Sequence, residues 1–175
     1  MLPIMKNLLF LPAVLSLTVG LAAQKKTEPT RECIIDGLVT TPLVITLDSL
    51  KGHLPVRFDS VVIINHRGER KSTLKNLVLV PARVFLGQVE IKAETPRNLS
   101  EFYFVFEAAD GYKAVFSWNE IFNNKLGEDV GFIVGADGKS IETLDNRIAA
   151  LCRSDTHTGR RHVKNLQKIW VRRAE

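Results

Sequence analysis

Apolar and polar positions divide the chain into unlike stretches. Residues 1–23 carry one charge, Lys6, and an apolar run from Leu8 to Leu21 that ends in the small residues Gly20-Leu21-Ala22-Ala23. A short basic start, an apolar run of this length and a small-residue cleavage site are the pattern of a secretory signal. The run is short for a membrane span and contains Pro12 and Gly20, which disfavour an anchor. Residues 24–32 form a polar lead-in. From 33 onward apolar and polar residues alternate in short runs.

Those runs are rich in β-branched and aromatic residues. Ile34–Val39, Leu43–Ile45, Val56–Ile64, Phe102–Phe106, Tyr112–Phe116, Val130–Val134, Ile148–Leu151 and Lys168–Val171 predict strands. Arg67-Gly68-Glu69, Asp110-Gly111 and Asp137-Gly138 supply turn chemistry between them. Helical signals are few and short. Pro81–Leu86 has proline at a first helical position and Gly87 after it. Ser117 with Glu120 three residues on is a capping box that opens a helix through Phe122, and Thr46–Leu50 reads as one capped turn. Many strands with small helices and no long crossover helix predict an α+β domain of mixed β-sheets over residues 33–175.

Composition changes this picture little. Of 175 residues, 45% are apolar and 25% charged, with a net charge of +5; that is an ordinary globular balance. Such a modest charge on an exported chain argues against nucleic acid as a partner. Removal of the leader leaves no segment for stable membrane insertion, so the expected location is periplasmic or secreted. Cys33 and Cys152 are the only cysteines. They read equally as a disulfide pair or as two buried thiols, and they are too few for a zinc motif.

No phosphate-binding glycine loop, nucleophile elbow or paired metal-ligand motif is present. The positive feature is basic clustering. His66-Arg67-Gly68-Glu69-Arg70-Lys71 forms one cluster, and Thr158-Gly159-Arg160-Arg161-His162-Val163-Lys164 forms another. Guanidinium forks suit phosphate or carboxylate oxygens, and an adjacent glycine lets backbone N–H groups approach the same anion.

The order of several motifs resembles the molybdopterin-binding domain of the sulfite oxidase superfamily, from about Ile34 to Val171. Gly37-Leu38-Val39-Thr40-Thr41-Pro42 followed by Ile45-Thr46-Leu47-Asp48-Ser49-Leu50 is similar to that family's opening. Phe106-Glu107-Ala108-Ala109-Asp110-Gly111-Tyr112 is similar to its strand-turn-strand motif. Gly159-Arg160-Arg161-His162-Val163-Lys164-Asn165-Leu166, with Ile169 and Val171, is similar to its closing segment. The resemblance implies a sulfite oxidase-like fold around a cofactor cleft. It also implies a pterin cofactor whose molybdenum is ligated by one cysteine thiolate.

In this chain His66 stands where that cysteine would be. Imidazole is a harder donor than thiolate and is uncharged when neutral. By the match, Arg161 and Lys164 fall beside the pterin tail and Arg70 falls in the metal loop. His66, Arg70, Arg161 and Lys164 are therefore the expected anion- or pterin-contacting residues, with no metal ligand and no catalytic residue assigned. The expected function is binding of a small anionic ligand or an envelope protein without molybdenum catalysis. The alternative is a molybdopterin-dependent oxidoreductase with an atypical metal site. Three departures besides His66 weigh against it: a leader without an arginine pair, the missing arginine- and histidine-bearing N-terminal segment, and the lack of the family's proline-rich run between Asp129 and Arg147.

Overall fold

The computed structural model describes residues 28–175, and the leader expected over residues 1–23 lies outside the described residues. Ten strands form two sheets. The first has the order β2-β1-β10-β5-β6, built from β1 (Glu32–Gly37), β2 (Leu43–Thr46), β5 (Phe102–Ala108), β6 (Lys113–Ser117) and β10 (Leu166–Arg173). The second has the order β3-β4-β7-β8, with β9 also on β7. Its strands are β3 (Val56–Ile64), β4 (Arg70–Pro81), β7 (Val130–Ala136), β8 (Lys139–Ser140) and β9 (Ala149–Cys152). Only β1 and β10 pair in parallel, so the first sheet is mixed. Among the described residues no helix is long and apolar enough to cross a membrane.

The helices are single turns with strong local reasons to form. In α1 (Leu47–Lys51) the Thr46 hydroxyl accepts from the Ser49 N–H at 3.1 Å, and the Ser49 hydroxyl accepts from the Thr46 N–H at 2.8 Å. In α3 (Trp118–Phe122) Ser117 and Glu120 make the same reciprocal cap. Each cap satisfies two of the amides that a helix start leaves orphaned. α2 (Arg83–Leu86) begins two residues after Pro81 and ends at Gly87.

The main core lies between these elements. Phe104, Phe106, Phe116 and Phe132 are buried in it, with Ile35, Ile169 and Val171. Their edge-to-face and stacked contacts, such as Phe106 on Phe116 at 5.0 Å, add to area burial. A second cluster of Val61, Ile63, Leu77, Leu79, Ile133 and Leu151 lies against the second sheet. Gly37 closes the parallel pair. Its φ is +103°, and a Cβ there would overlap the Val171 carbonyl oxygen, so glycine is required.

The strand pattern missed β4, the longest strand. Its first half, Arg70 to Asn76, is mostly polar because it is one arm of an exposed hairpin with β3. Cys33 and Cys152 are both free and buried, which favours the buried-thiol reading. Burial pushes both thiols up, so neither is a ready nucleophile.

Candidate functional site

Three loops meet at one end of the β3–β4 hairpin. The first is the turn after β3. The Asn65 side-chain oxygen accepts from the N–H groups of Arg67 at 2.9 Å and Glu69 at 3.0 Å. Gly68 takes φ +80°, which turns the chain at the cost only glycine avoids. His66 stands within this turn.

The second loop is the 3-10 turn Thr158–Arg161. It is stitched to the first across more than ninety residues of sequence. The buried Thr158 hydroxyl donates to the Val62 carbonyl at 2.7 Å and accepts from the Ile64 N–H at 2.9 Å. The hydroxyl thereby takes the place of a neighbouring strand. Gly159 presses against the same edge; a Cβ there would lie 2.8 Å from the Ile64 carbonyl oxygen. The third loop is the Asp110-Gly111 turn, with Gly111 at φ +86°. Tyr112 follows it, and the Tyr112 hydroxyl donates to the Arg160 carbonyl.

Together these loops enclose an open cleft of about 690 Å³ lined by His66, Lys71, Tyr112, Arg160, His162 and Lys164, among others. A smaller compartment of about 250 Å³ continues from it and shares Ser72, His162 and Lys164 as walls. Lys71 is paired with Glu69 at 2.8 Å. Arg160 and Lys164 make no ion pair among the described residues. Asp110 is the acid lining the larger cleft, and its carboxylate accepts from the Tyr112 N–H at 3.0 Å; Asp137 and Asp145 line the smaller compartment. Burial, with Lys164 nearby, pushes His162 down to about 4. Its imidazole is therefore neutral at ordinary pH and offers one donor and one acceptor.

Of the four residues expected at the site, His66 and Lys164 line the cleft. Arg161 points elsewhere. Its guanidinium binds Asp155 through Nε at 2.8 Å and Nη2 at 2.5 Å, binds Glu120 through Nη1 at 2.8 Å, and lies over the Phe116 ring at 4.4 Å. All its planar donors on those sides are spent inside the fold. Arg70 begins β4 and donates to the Thr73 hydroxyl at 2.6 Å, outside the cleft lining. Lys71, Arg160 and His162 are not among the four residues expected at the site, and Tyr112 stands in the sequence at the end of the strand-turn-strand motif. Arg160 and His162 lay within the second basic cluster and Lys71 within the first, but alternation inside a turn does not tell which side chain faces a cavity.

The donor set bears on a molybdenum cofactor. The cleft offers imidazoles, amines, a guanidinium and a phenol, and no thiolate. Both thiols belong to the buried core. Among the described residues no group of three or more His, Cys, Asp or Glu is placed to hold a metal ion. These residues suit the oxyanions of a ligand and do not fit a soft, thiolate-ligated metal.

No family model and no curated protein sequence matches the chain. Among solved structures the chain is similar to the sulfane dehydrogenase SoxCD from Paracoccus pantotrophus, with a TM-score of 0.61 and 17% sequence identity. The match covers 83% of this chain and 40% of that one, so this chain spans well under half of that neighbour. The likeness is one of fold, and it supports the sulfite oxidase-like α+β architecture that the motifs implied.

Proposed function

We propose that this chain is a sulfite oxidase-like domain that binds a small anionic ligand in the three-loop cleft and performs no molybdenum chemistry there. The observation that carries this reading is the convergence of unpaired Arg160 and Lys164 with His66 on one open cavity. Unpaired cations around a concave surface attract anions and form charge-assisted hydrogen bonds with their oxygens. The leader expected over residues 1–23 gives the same reading an exported location. An envelope protein presenting a carboxylate or phosphate would meet the same chemistry.

The likeness in fold to a dehydrogenase supports one competing reading, a molybdopterin-dependent oxidoreductase. The donor set speaks against it, since His66 stands where a thiolate would be required.

Calorimetric titration with inorganic pyrophosphate tests the proposal. Binding should weaken as salt rises. Arg160→Ala or Lys164→Ala should each lower affinity by about tenfold to a hundredfold, in line with ~1.5–3 kcal/mol for a hydrogen bond to a charged group. Arg70→Ala should leave affinity unchanged. The proposal fails if neither cleft variant alters binding. It fails equally if the protein, produced with ample molybdate, carries stoichiometric molybdenum and reduces an electron acceptor.

A further inference from the structure

The outer edge of β3 is open, and what lies along it is self-complementary. β3 is the terminal strand of its sheet, with β4 on one side only. Its far end is closed, because the Thr158 hydroxyl occupies the Val62 carbonyl and the Ile64 N–H. Its near end follows Pro55, which has no N–H to give. The stretch left between these ends is Val56 to Ser60; its middle residue, Phe58, is half-buried with the Arg153 guanidinium over its ring at 4.4 Å, so a partner would meet the backbone edge and the flanking side chains. Val56, Arg57, Asp59 and Ser60 are all exposed.

We infer that this edge pairs with the same edge of a second copy, antiparallel and centred on Phe58, to form a two-fold homodimer. A two-fold interface must present one patch to itself, and this stretch meets that condition. In a register centred on Phe58, Arg57 faces the partner's Asp59 and Asp59 faces the partner's Arg57. Neither side chain has an ion pair or hydrogen bond within its own chain among the described residues. Directly opposed unlike charges stabilise an antiparallel pair, and like charges oppose it. Natural edge strands are commonly blunted by charged side chains, prolines and inward-pointing charges, which repel most partners. This edge instead carries one cation and one anion, two residues apart, and so attracts its own copy. Apolar surface adds to the case. Val56 is 43% exposed, and in this register it lies opposite the partner's Ser60, so pairing of the edges would shield it.

Sedimentation equilibrium over a range of concentrations, together with amide hydrogen exchange, tests the inference. A reversible dimer is expected, with protection of the amides from Val56 to Ser60 that grows with concentration. Arg57→Asp alone, or Asp59→Arg alone, sets like charges against each other twice and should raise the dimer dissociation constant about tenfold or more. The exchanged pair Arg57→Asp/Asp59→Arg should restore it. Both positions are exposed, and an unchanged thermal melt at low concentration shows that each variant folds. The inference is overturned if the protein stays monomeric at all concentrations. A dimer that ignores the single changes, or a double variant that remains as weak as the singles, overturns it as well. This test is independent of the anion cleft, since neither Arg57 nor Asp59 lines it.

Discussion

Arg160 and Arg161 are adjacent in sequence and do opposite work. Arg160 opens onto the cleft, while Arg161 is held by Asp155, Glu120 and the Phe116 ring. Both are cations in a glycine-containing basic turn, so composition alone ranks them together. What separates them is the presence of two carboxylates brought from residues 120 and 155. Asp155 is largely buried, at 13% side-chain exposure. Burial pushes Glu120 up, but the Ser117 N–H and Arg161 outweigh it and keep the carboxylate below its usual range. Arg161→Ala would strand both acids and undo the brace between α3 and the 3-10 turn. It should cost about 2–3 kcal/mol in urea unfolding and change pyrophosphate affinity much less than Arg160→Ala does.

Short elements owe their existence to caps, and the cleft owes its shape to one hydroxyl. The capped turns at Thr46 and Ser117 are legible because the donor and acceptor lie within three residues of each other. The glycine turns at Gly68 and Gly111 are legible for a similar reason, since left-handed φ is a local demand. Thr158 could not be read in this way. Its two partners lie at Val62 and Ile64, and only folding makes it a substitute strand for β3. β4 was hidden for a related reason, because half of it faces solvent and lacks the apolar alternation of a core strand. Thr158→Val keeps the shape of the side chain and leaves a carbonyl and an N–H unpaired at a nearly buried site. It should destabilise the protein by about 2 kcal/mol and, by loosening the 3-10 turn from β3, weaken anion binding. Urea unfolding and the pyrophosphate titration measure the two effects.

At the scale of the described fold, β10 inserts between β1 and β5 and so joins segments far apart in sequence. Near the start of the described chain, the Thr30 hydroxyl donates to the Arg147 carbonyl at 2.8 Å and accepts from the Ile148 N–H at 2.6 Å. Global stability should therefore report on groups titrating anywhere in the fold. His162 is the clearest case. Its folded value of about 4 lies below its ordinary value of 6.5, so the unfolded chain binds a proton more readily between those values. The stability that neutral His162 permits is present above about pH 6.5 and is lost as pH falls toward 4. The loss should reach on the order of 3 kcal/mol, and His162→Asn should flatten it. Urea midpoints measured from pH 7 to pH 4 check this. Further acid removes the pairing of exposed carboxylates such as Glu142, which hydrogen bonds from Lys51 and Ser140 hold down at about 2.

The α+β class, the capped turns, the glycine turns and the two basic clusters can all be read from the order of residues. Each of these depends on residues a few positions apart, where spacing alone sets geometry. The absence of a cysteine at His66 was equally plain, because it is a matter of identity. Which basic side chains face the cleft, that both thiols are buried, and that Thr158 plugs one end of the outer edge of β3 all follow from packing. Those outcomes depend on partners such as Asp155, Glu120, Val62 and Ile64, set far apart along the chain and brought together only when the sheets pack.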